Sequence, residues 1–198
     1  MTPWPPDVIL DGAQVRLVPL APDHAPSLAE AVRDGDLHRL WYTTIPGPDG
    51  MMAEIERRLA LRAAGSMLPF AVMTPDGRAV GMTTYMNIDV ASPRVEIGST
   101  WYARSVQRTP LNTEAKRLLL GHAFDALGCI AVEFRTHAMN APSRRAIERL
   151  GAKLDGVLRA HVVMANGTVR DTACYSVTAA EWPAVRANLD WKLDRGTE

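Results

Sequence analysis

Apolar and polar positions change period several times along the 198 residues, and each change marks an element. Val15, Leu17 and Pro19 alternate with Arg16 and Val18, predicting a strand that Pro19 stops. From Asp23 to about Leu40 the spacing is helical, with Asp23 as a candidate cap and Gly35 as a break. Met52, Ile55, Leu59 and Arg62 predict a second helix over Met51 to Ala64. Phe70 to Met73, a turn at Pro75-Asp-Gly77 and the run from Ala79 to Asn87 read as a β-hairpin, and Pro93 to Tyr102 adds a strand.

The stretch from Val95 to Ala126 organises the rest, as strand, polar loop and amphipathic helix. Ala115, Leu119 and Ala123 recur at helical spacing, Leu120, Phe124 and Leu127 form the neighbouring row, and Gly128 supplies a stop. Gly98, inside the strand, marks a bulge or a close approach to the backbone. Val132 to His137 alternates with period two, and its parallel pairing with the strand before the helix would complete a β-α-β unit. Ser143 to Leu150 reads as a short helix stopped by Gly151. Val157 to Met164 and Val169 to Val177 flank Asn166-Gly167, which predicts a type I′ hairpin. Thr178-Ala-Ala-Glu181 reads as a capping box opening a last helix to about Leu193. The sum is a mixed α+β sheet of about seven strands with four or five helices, in one domain over 1–198 behind an extended, proline-rich arm over 1–9.

Composition narrows the partners. Lys+Arg and Asp+Glu are both 22, so a formal net charge of zero gives no footprint for DNA or an anionic membrane. No apolar run approaches the ~20 residues that cross a bilayer, and the first residues lack a signal-peptide pattern. Cys129 and Cys174 stand far apart and read as reduced thiols of a cytoplasmic protein. The five histidines, at 24, 38, 122, 137 and 161, show no ligand spacing, so no metal is expected.

A loop that runs from a strand into a helix makes an anion site, because the first-turn N–H groups are unpaired and the helix dipole adds positive potential. Here the polar loop between the strand and the helix is in that place, and phosphate is the natural guest.

The run Gln107-Arg-Thr-Pro-Leu-Asn-Thr-Glu-Ala-Lys116 resembles the pyrophosphate loop of the GNAT N-acetyltransferases, a Gln/Arg-x-x-Gly-x-Gly/Ala pattern leading into a helix. Its Thr113-Glu-Ala resembles the branch of ribosomal-protein alanine N-acetyltransferases, the RimJ/RimL type. The opening from Leu10 to Leu20, Leu127-Gly128, Asn140-Ala-Pro-Ser143 through Gly151-Ala152, and Asp155-Gly156-Val-Leu-Arg159 extend the resemblance, from roughly Leu10 to Trp182.

The resemblance implies the GNAT fold and direct transfer of an acetyl group from acetyl-CoA, the cosubstrate, to a primary amine in a ternary complex. A protein N-terminal α-amine is the leading acceptor; a small-molecule amine, or a non-catalytic acyl-CoA-binding module, are the alternatives. It implies pyrophosphate held by Gln107, Arg108, Thr109, Leu111, Asn112 and Thr113, and a thioester carbonyl polarised by main-chain N–H along Ser99, Thr100 and Trp101. Asn140 would contact the pantetheine arm, and Ser143 would protonate the leaving thiolate or, on the competing reading, cap the helix it precedes. A homodimer is common in such proteins.

Three departures matter. Pro110 stands where the pattern has glycine and offers no N–H, although proline suits the first helical position behind a Thr109 cap. Val162 stands where the branch has its glutamate base, leaving Glu96 first and His161 second as substitutes. Ile147 fills the place of a tyrosine that other members use as an acid. Acceptor choice falls to the loops around Trp41 and Met51, with Trp41 and Tyr42 read either as an acceptor wall or as a plug at the core edge.

Overall fold

The computed structural model describes residues 4–195. Eight strands form one sheet: β1 (Leu10–Asp11), β2 (Arg16–Pro19), β3 (Met67–Met73), β4 (Ala79–Asp89), β5 (Arg94–Tyr102), β6 (Ala131–His137), β7 (Lys153–Val163) and β8 (Val169–Thr178). Their order is β1-β2-β3-β4-β5-β6-β8-β7, and every pair is antiparallel except β5 with β6. Five α-helices complete the fold: α1 (Ala25–Arg33), α2 (Met51–Ala63), α3 (Pro110–Gly121), α4 (Ala141–Leu150) and α5 (Trp182–Asp194). The eighth strand, beyond the expected seven, is the two-residue β1. Of the expected N-terminal arm, 1–3 lie outside the described residues, and Trp4 to Ile9 carry no helix or strand. No helix among the described residues is long and apolar enough to cross a membrane.

Side-chain alternation divides the sheet into two faces. Tyr85, Val95, Val132, Phe134 and Tyr175 point to one face, where Ala115, Leu119, Leu120 and Ala123 close the core. The Tyr85 hydroxyl donates to the Leu119 carbonyl at 2.6 Å, and Tyr175 receives a hydrogen bond from Arg144 and donates to Glu148, so α3 and α4 share this face. Thr84 lies on the other face, where Arg58 of α2 donates to its hydroxyl. Glu96, Glu133, Arg135 and Cys174, joined by register across β5, β6 and β8, also lie on that second face, and α4 and α5 do not cover them.

The sequence patterns fail in definable places. The predicted helix from Asp23 to Leu40 is a 3-10 turn (Pro22–His24), α1, and a second 3-10 turn (Leu37–Arg39). Asp23 caps nothing by its side chain; the Ala21 N–H instead donates to His24 Nδ1. Gly35 and Asp36, at φ 95° and 50°, break the chain direction after α1, as Gly35 predicts. The β7–β8 turn is not type I′, because only Gly167 has positive φ; Gly167 N–H bonds Met164 and Met164 N–H bonds Thr168, a three-residue loop closed by a left-handed glycine. The Thr178–Glu181 capping box is half formed: Glu181 accepts from the Thr178 N–H and hydroxyl, while α5 begins one residue later. α3 ends in a π turn, His122–Ala126, that its apolar spacing does not announce; the Tyr85 hydroxyl, inserted at the Leu119 carbonyl, supplies the cause.

Candidate active site

The parallel pairing of β5 with β6 has three rungs, Arg94 with Ala131, Val95 with Val132 and Glu96 with Glu133. Beyond Glu96 the two strands part, since β6 goes on pairing with β8 as far as His137 while β5 goes on with β4 as far as Tyr102. The result is a wedge-shaped cleft at the C-terminal ends of two parallel strands. The chain leaves β5 for the N-terminus of α3 and leaves β6 for the N-terminus of α4, so both helix dipoles begin beside the cleft.

β5 enters this cleft distorted. Thr83 on β4 faces two residues, Ser99 and Thr100, because the register shifts between Met82–Trp101 and Thr84–Gly98. The bulge therefore sits one residue past Gly98, with Ser99 in the left-handed region at φ 47°. Gly98 does a different job: a Cβ there would stand 2.8 Å from Glu96 Oε1 and 2.8 Å from Met86 Sδ, so glycine leaves room for the carboxyl beneath it. The Trp101 ring is buried and its indole N–H finds no acceptor among the described residues.

Glu96 is 5 % exposed at the apex of the cleft. Asn87 Nδ2 donates to its Oε2 at 2.6 Å and Arg135 Nε lies 3.4 Å from the same oxygen. Burial pushes its carboxyl above the ordinary range, against the opposing pull of Asn87 and Arg135. A carboxylate moved toward neutral pH, at the apex of a cleft, has the properties of a general base. His161 is exposed on β7, its Nδ1 3.0 Å from the Thr172 hydroxyl, and Val162 beside it is also exposed.

The loop before α3 is built as its residue types imply. Thr109 is the N-cap, its hydroxyl accepting the Leu111 N–H at 3.4 Å and donating to the Val106 carbonyl at 2.8 Å, and Pro110 takes the first helical position. Gln107 Nε2 donates to the Tyr102 carbonyl, tying the loop to the end of β5. Arg108 is exposed and left-handed at φ 61°. Asn112 Oδ1 is buried without a partner among the described residues, while the Thr113 hydroxyl turns inward and accepts from Arg149 at 2.8 Å. From Ala103 to Thr113 there is no acid, and the next residue, Glu114, is turned away: its carboxylate accepts the N–H groups of Ala13, Gln14 and Val15 at 2.6–2.9 Å. A helix start with the exposed Arg108 beside it and part of its first turn uncapped fits a pyrophosphate, the carboxylate of Asp34 being taken up by the Ser105 N–H at 2.9 Å.

At the second helix start the structure corrects one reading. Asn140 is the N-cap of α4, its Oδ1 accepting the Ser143 N–H at 3.1 Å, so Ser143 stands inside the first turn and does not cap the helix. Its hydroxyl makes no hydrogen bond among the described residues and is free to act as a donor. Trp41 is no core plug: it is 48 % exposed and meets Tyr42 and His137 edge to face at 5.6 and 5.4 Å, over the end of β6. His137 accepts the Met139 N–H on Nδ1, which puts its proton on Nε2, a buried donor with no acceptor among the described residues. Sequence reading passed over His137, and also over Arg58 and Lys116, because a charge on a helix reads as solvated; only the fold shows both cations buried, at 2 % and 6 % exposure.

Residues 14–153 match the family model described as "Acetyltransferase (GNAT) domain". A GCN5-related N-acetyltransferase from Brucella melitensis is 33 % identical over 98 % of this chain and 89 % of its own, with a TM-score of 0.85. Mycobacterium smegmatis RimJ, solved in complex with CoA-disulfide, is 25 % identical over 96 % of this chain and 97 % of its own, with a TM-score of 0.79. A Bacillus subtilis (strain 168) protein, YdaF, provisionally named a ribosomal N-acetyltransferase, is 32 % identical over 107 residues, which are 54 % of this chain and 57 % of that relative.

Proposed function

The chain belongs to the GNAT family of acetyltransferases, and from that premise we propose that it moves the acetyl group of acetyl-CoA onto the α-amine of a protein N-terminus. When bound, acetyl-CoA supplies the activated thioester. The first turn of α3 and Arg108 hold the pyrophosphate, and the Asn140 carboxamide, whose oxygen caps α4, keeps its N–H groups for the pantetheine arm. The main chain from Ser99 to Trp101 offers N–H groups along an edge that β6 no longer pairs, where negative charge on the thioester oxygen is stabilised. Glu96 removes the proton from the amine, and the Ser143 hydroxyl returns one to the departing thiolate.

The observation that carries the reading is the place of Glu96: a buried, upward-shifted carboxylate at the last rung before the strands part. Its shift suits an α-amine. With an ordinary pKa near ~8, that amine is about a tenth neutral at pH 7, whereas a lysine near ~10.4 is less than a thousandth. That YdaF is provisionally named a ribosomal N-acetyltransferase favours a protein acceptor over a small molecule. The two free thiols are in keeping with action in the cytoplasm. A homodimer is part of the same reading, with β7 as an exposed sheet edge carrying Leu154, Val157, Leu158 and Val163 in solvent; sedimentation tests it.

The test is acetyl transfer to two peptides, one with a free N-terminus and no lysine, one N-blocked with a single lysine, by the wild-type chain and Glu96→Gln. Turnover on the first peptide, reduced about 10²-fold or more by the substitution, supports the reading. Preference for the lysine peptide, or an unchanged rate in Glu96→Gln, defeats it.

A further inference from the structure

Two buried cations grip the β5 bulge from opposite faces. On one side Arg58 donates to the Thr84 hydroxyl at 2.8 Å and approaches the Ser99 carbonyl at 3.4 Å. Its charge is met by Glu54 at 2.7 Å. On the other side Lys116 Nζ stands 3.2 Å from the Thr83 hydroxyl and 3.1 Å from the Thr100 hydroxyl, which lie 2.8 Å from each other. Thr100 in turn donates to the Gly98 carbonyl at 3.3 Å. Lys116 faces no carboxylate; burial alone lowers its pKa, to about 7.

Packing gives no reason for this residue. A methionine would fill the same channel under β4 and β5 without desolvating an amine. What a methionine cannot do is donate twice, and even the neutral amine keeps two N–H donors for the two hydroxyls. The segment it reaches needs holding, because Ser99, a non-glycine residue, sits left-handed at φ 47°, a conformation that persists only where the surroundings impose it.

We propose that Lys116 is a positioning residue for acetyl transfer: through Thr100 it fixes the Ser99–Trp101 main chain whose N–H groups receive the thioester oxygen. The proposal rests on the functional reading above, in which that edge borders the acetyl group. Lys116 touches no reacting atom itself.

The test compares the full-length wild type with Lys116→Met, Thr100→Val and the double variant. Lys116→Met is expected to fold and to bind coenzyme A within about 3-fold of wild type. Its kcat should fall at least tenfold while the KM for acetyl-CoA moves little. Because both residues act through one contact, the double variant should lose no more than the worse single one. A kcat within twofold of wild type, additive losses, or a coenzyme A affinity that falls in step with kcat would overturn the proposal. Amide hydrogen exchange at Ser99 to Trp101 reads the positioning directly, without turnover: it should quicken in Lys116→Met, and unchanged exchange overturns the proposal even in an active enzyme. Wild-type protein that never acetylates an amine, with exchange that still quickens, would locate the failure in the functional reading instead.

Discussion

Asn87 donates to Glu96 Oε2 at 2.6 Å from a residue that is itself left-handed, at φ 48°. The strain is cheap for asparagine, and it falls beside a register shift in β4 that turns the amide toward the carboxyl. The contact favours the ionised form of Glu96, against the burial that disfavours it.

Removing that amide therefore has a definite sign. In Asn87→Ala the carboxyl loses a donor to its charged form, its pKa climbs further, and the base is protonated over a wider range. The acid limb of kcat/KM against pH should move to higher pH, with the plateau at alkaline pH largely kept. A pH–rate profile on the free-N-terminus peptide checks it; a limb that stays in place would remove Glu96 from the base's role.

Glu114 predicts a stability effect remote from chemistry. Its carboxylate satisfies three consecutive backbone N–H groups in the β1–β2 turn, and a Cβ at Gly12 would stand 2.5 Å from it. Glu114→Ala should cost about 1 kcal/mol in urea unfolding, because three backbone N–H groups lose their acceptor and two of them are exposed to water.

Lys116 should make stability depend on pH. Burial lowers its pKa from 10.5 to about 7. Between those values the unfolded chain holds a proton that the folded chain lacks, so its contribution to stability rises with pH across that window. Below it both states are charged and the burial cost is complete. The phenols on the same sheet face, Tyr85 and Tyr102, are pushed up by burial and stay neutral throughout. Lys116→Met should thus be more stable than wild type at pH near ~6, by about 2–4 kcal/mol, with the gain fading toward pH ~10. Denaturant titrations at several pH values measure it.

Pro110 offers the converse experiment. Pro110→Gly returns an N–H to the first turn of α3 and loosens the unfolded chain, so coenzyme A should bind a few-fold tighter while stability drops by about 0.5–1 kcal/mol. Calorimetric titration with coenzyme A, alongside thermal unfolding, separates the two effects.

Much of this was readable from residue pattern alone. The strand–loop–helix from Val95 onward, the Thr109 cap and the proline behind it follow from local rules, and the structure has them where spacing puts them. What escaped the sequence depends on distant partners. The π turn at His122 needs the Tyr85 hydroxyl from a strand 34 residues before the Leu119 carbonyl it bonds. Ser143 looks like a cap in isolation, and only the direction of its N–H, which donates to Asn140 Oδ1, gives that role to Asn140. Lys116 and Arg58 look like surface charges until the sheet closes over them.

The three-rung pairing of β5 with β6 has a mechanical meaning. It is a short seam joining two leaves, one of five strands and one of three, and the hydrogen bonds absent beyond it are those an extended guest could make in its place. On the function proposed above, a bound cosubstrate would act as a surrogate strand, stitching the leaves together along the open part of the seam. Occupancy should stiffen the outer leaf of β6, β8 and β7 as a unit, although the guest touches only its first strand.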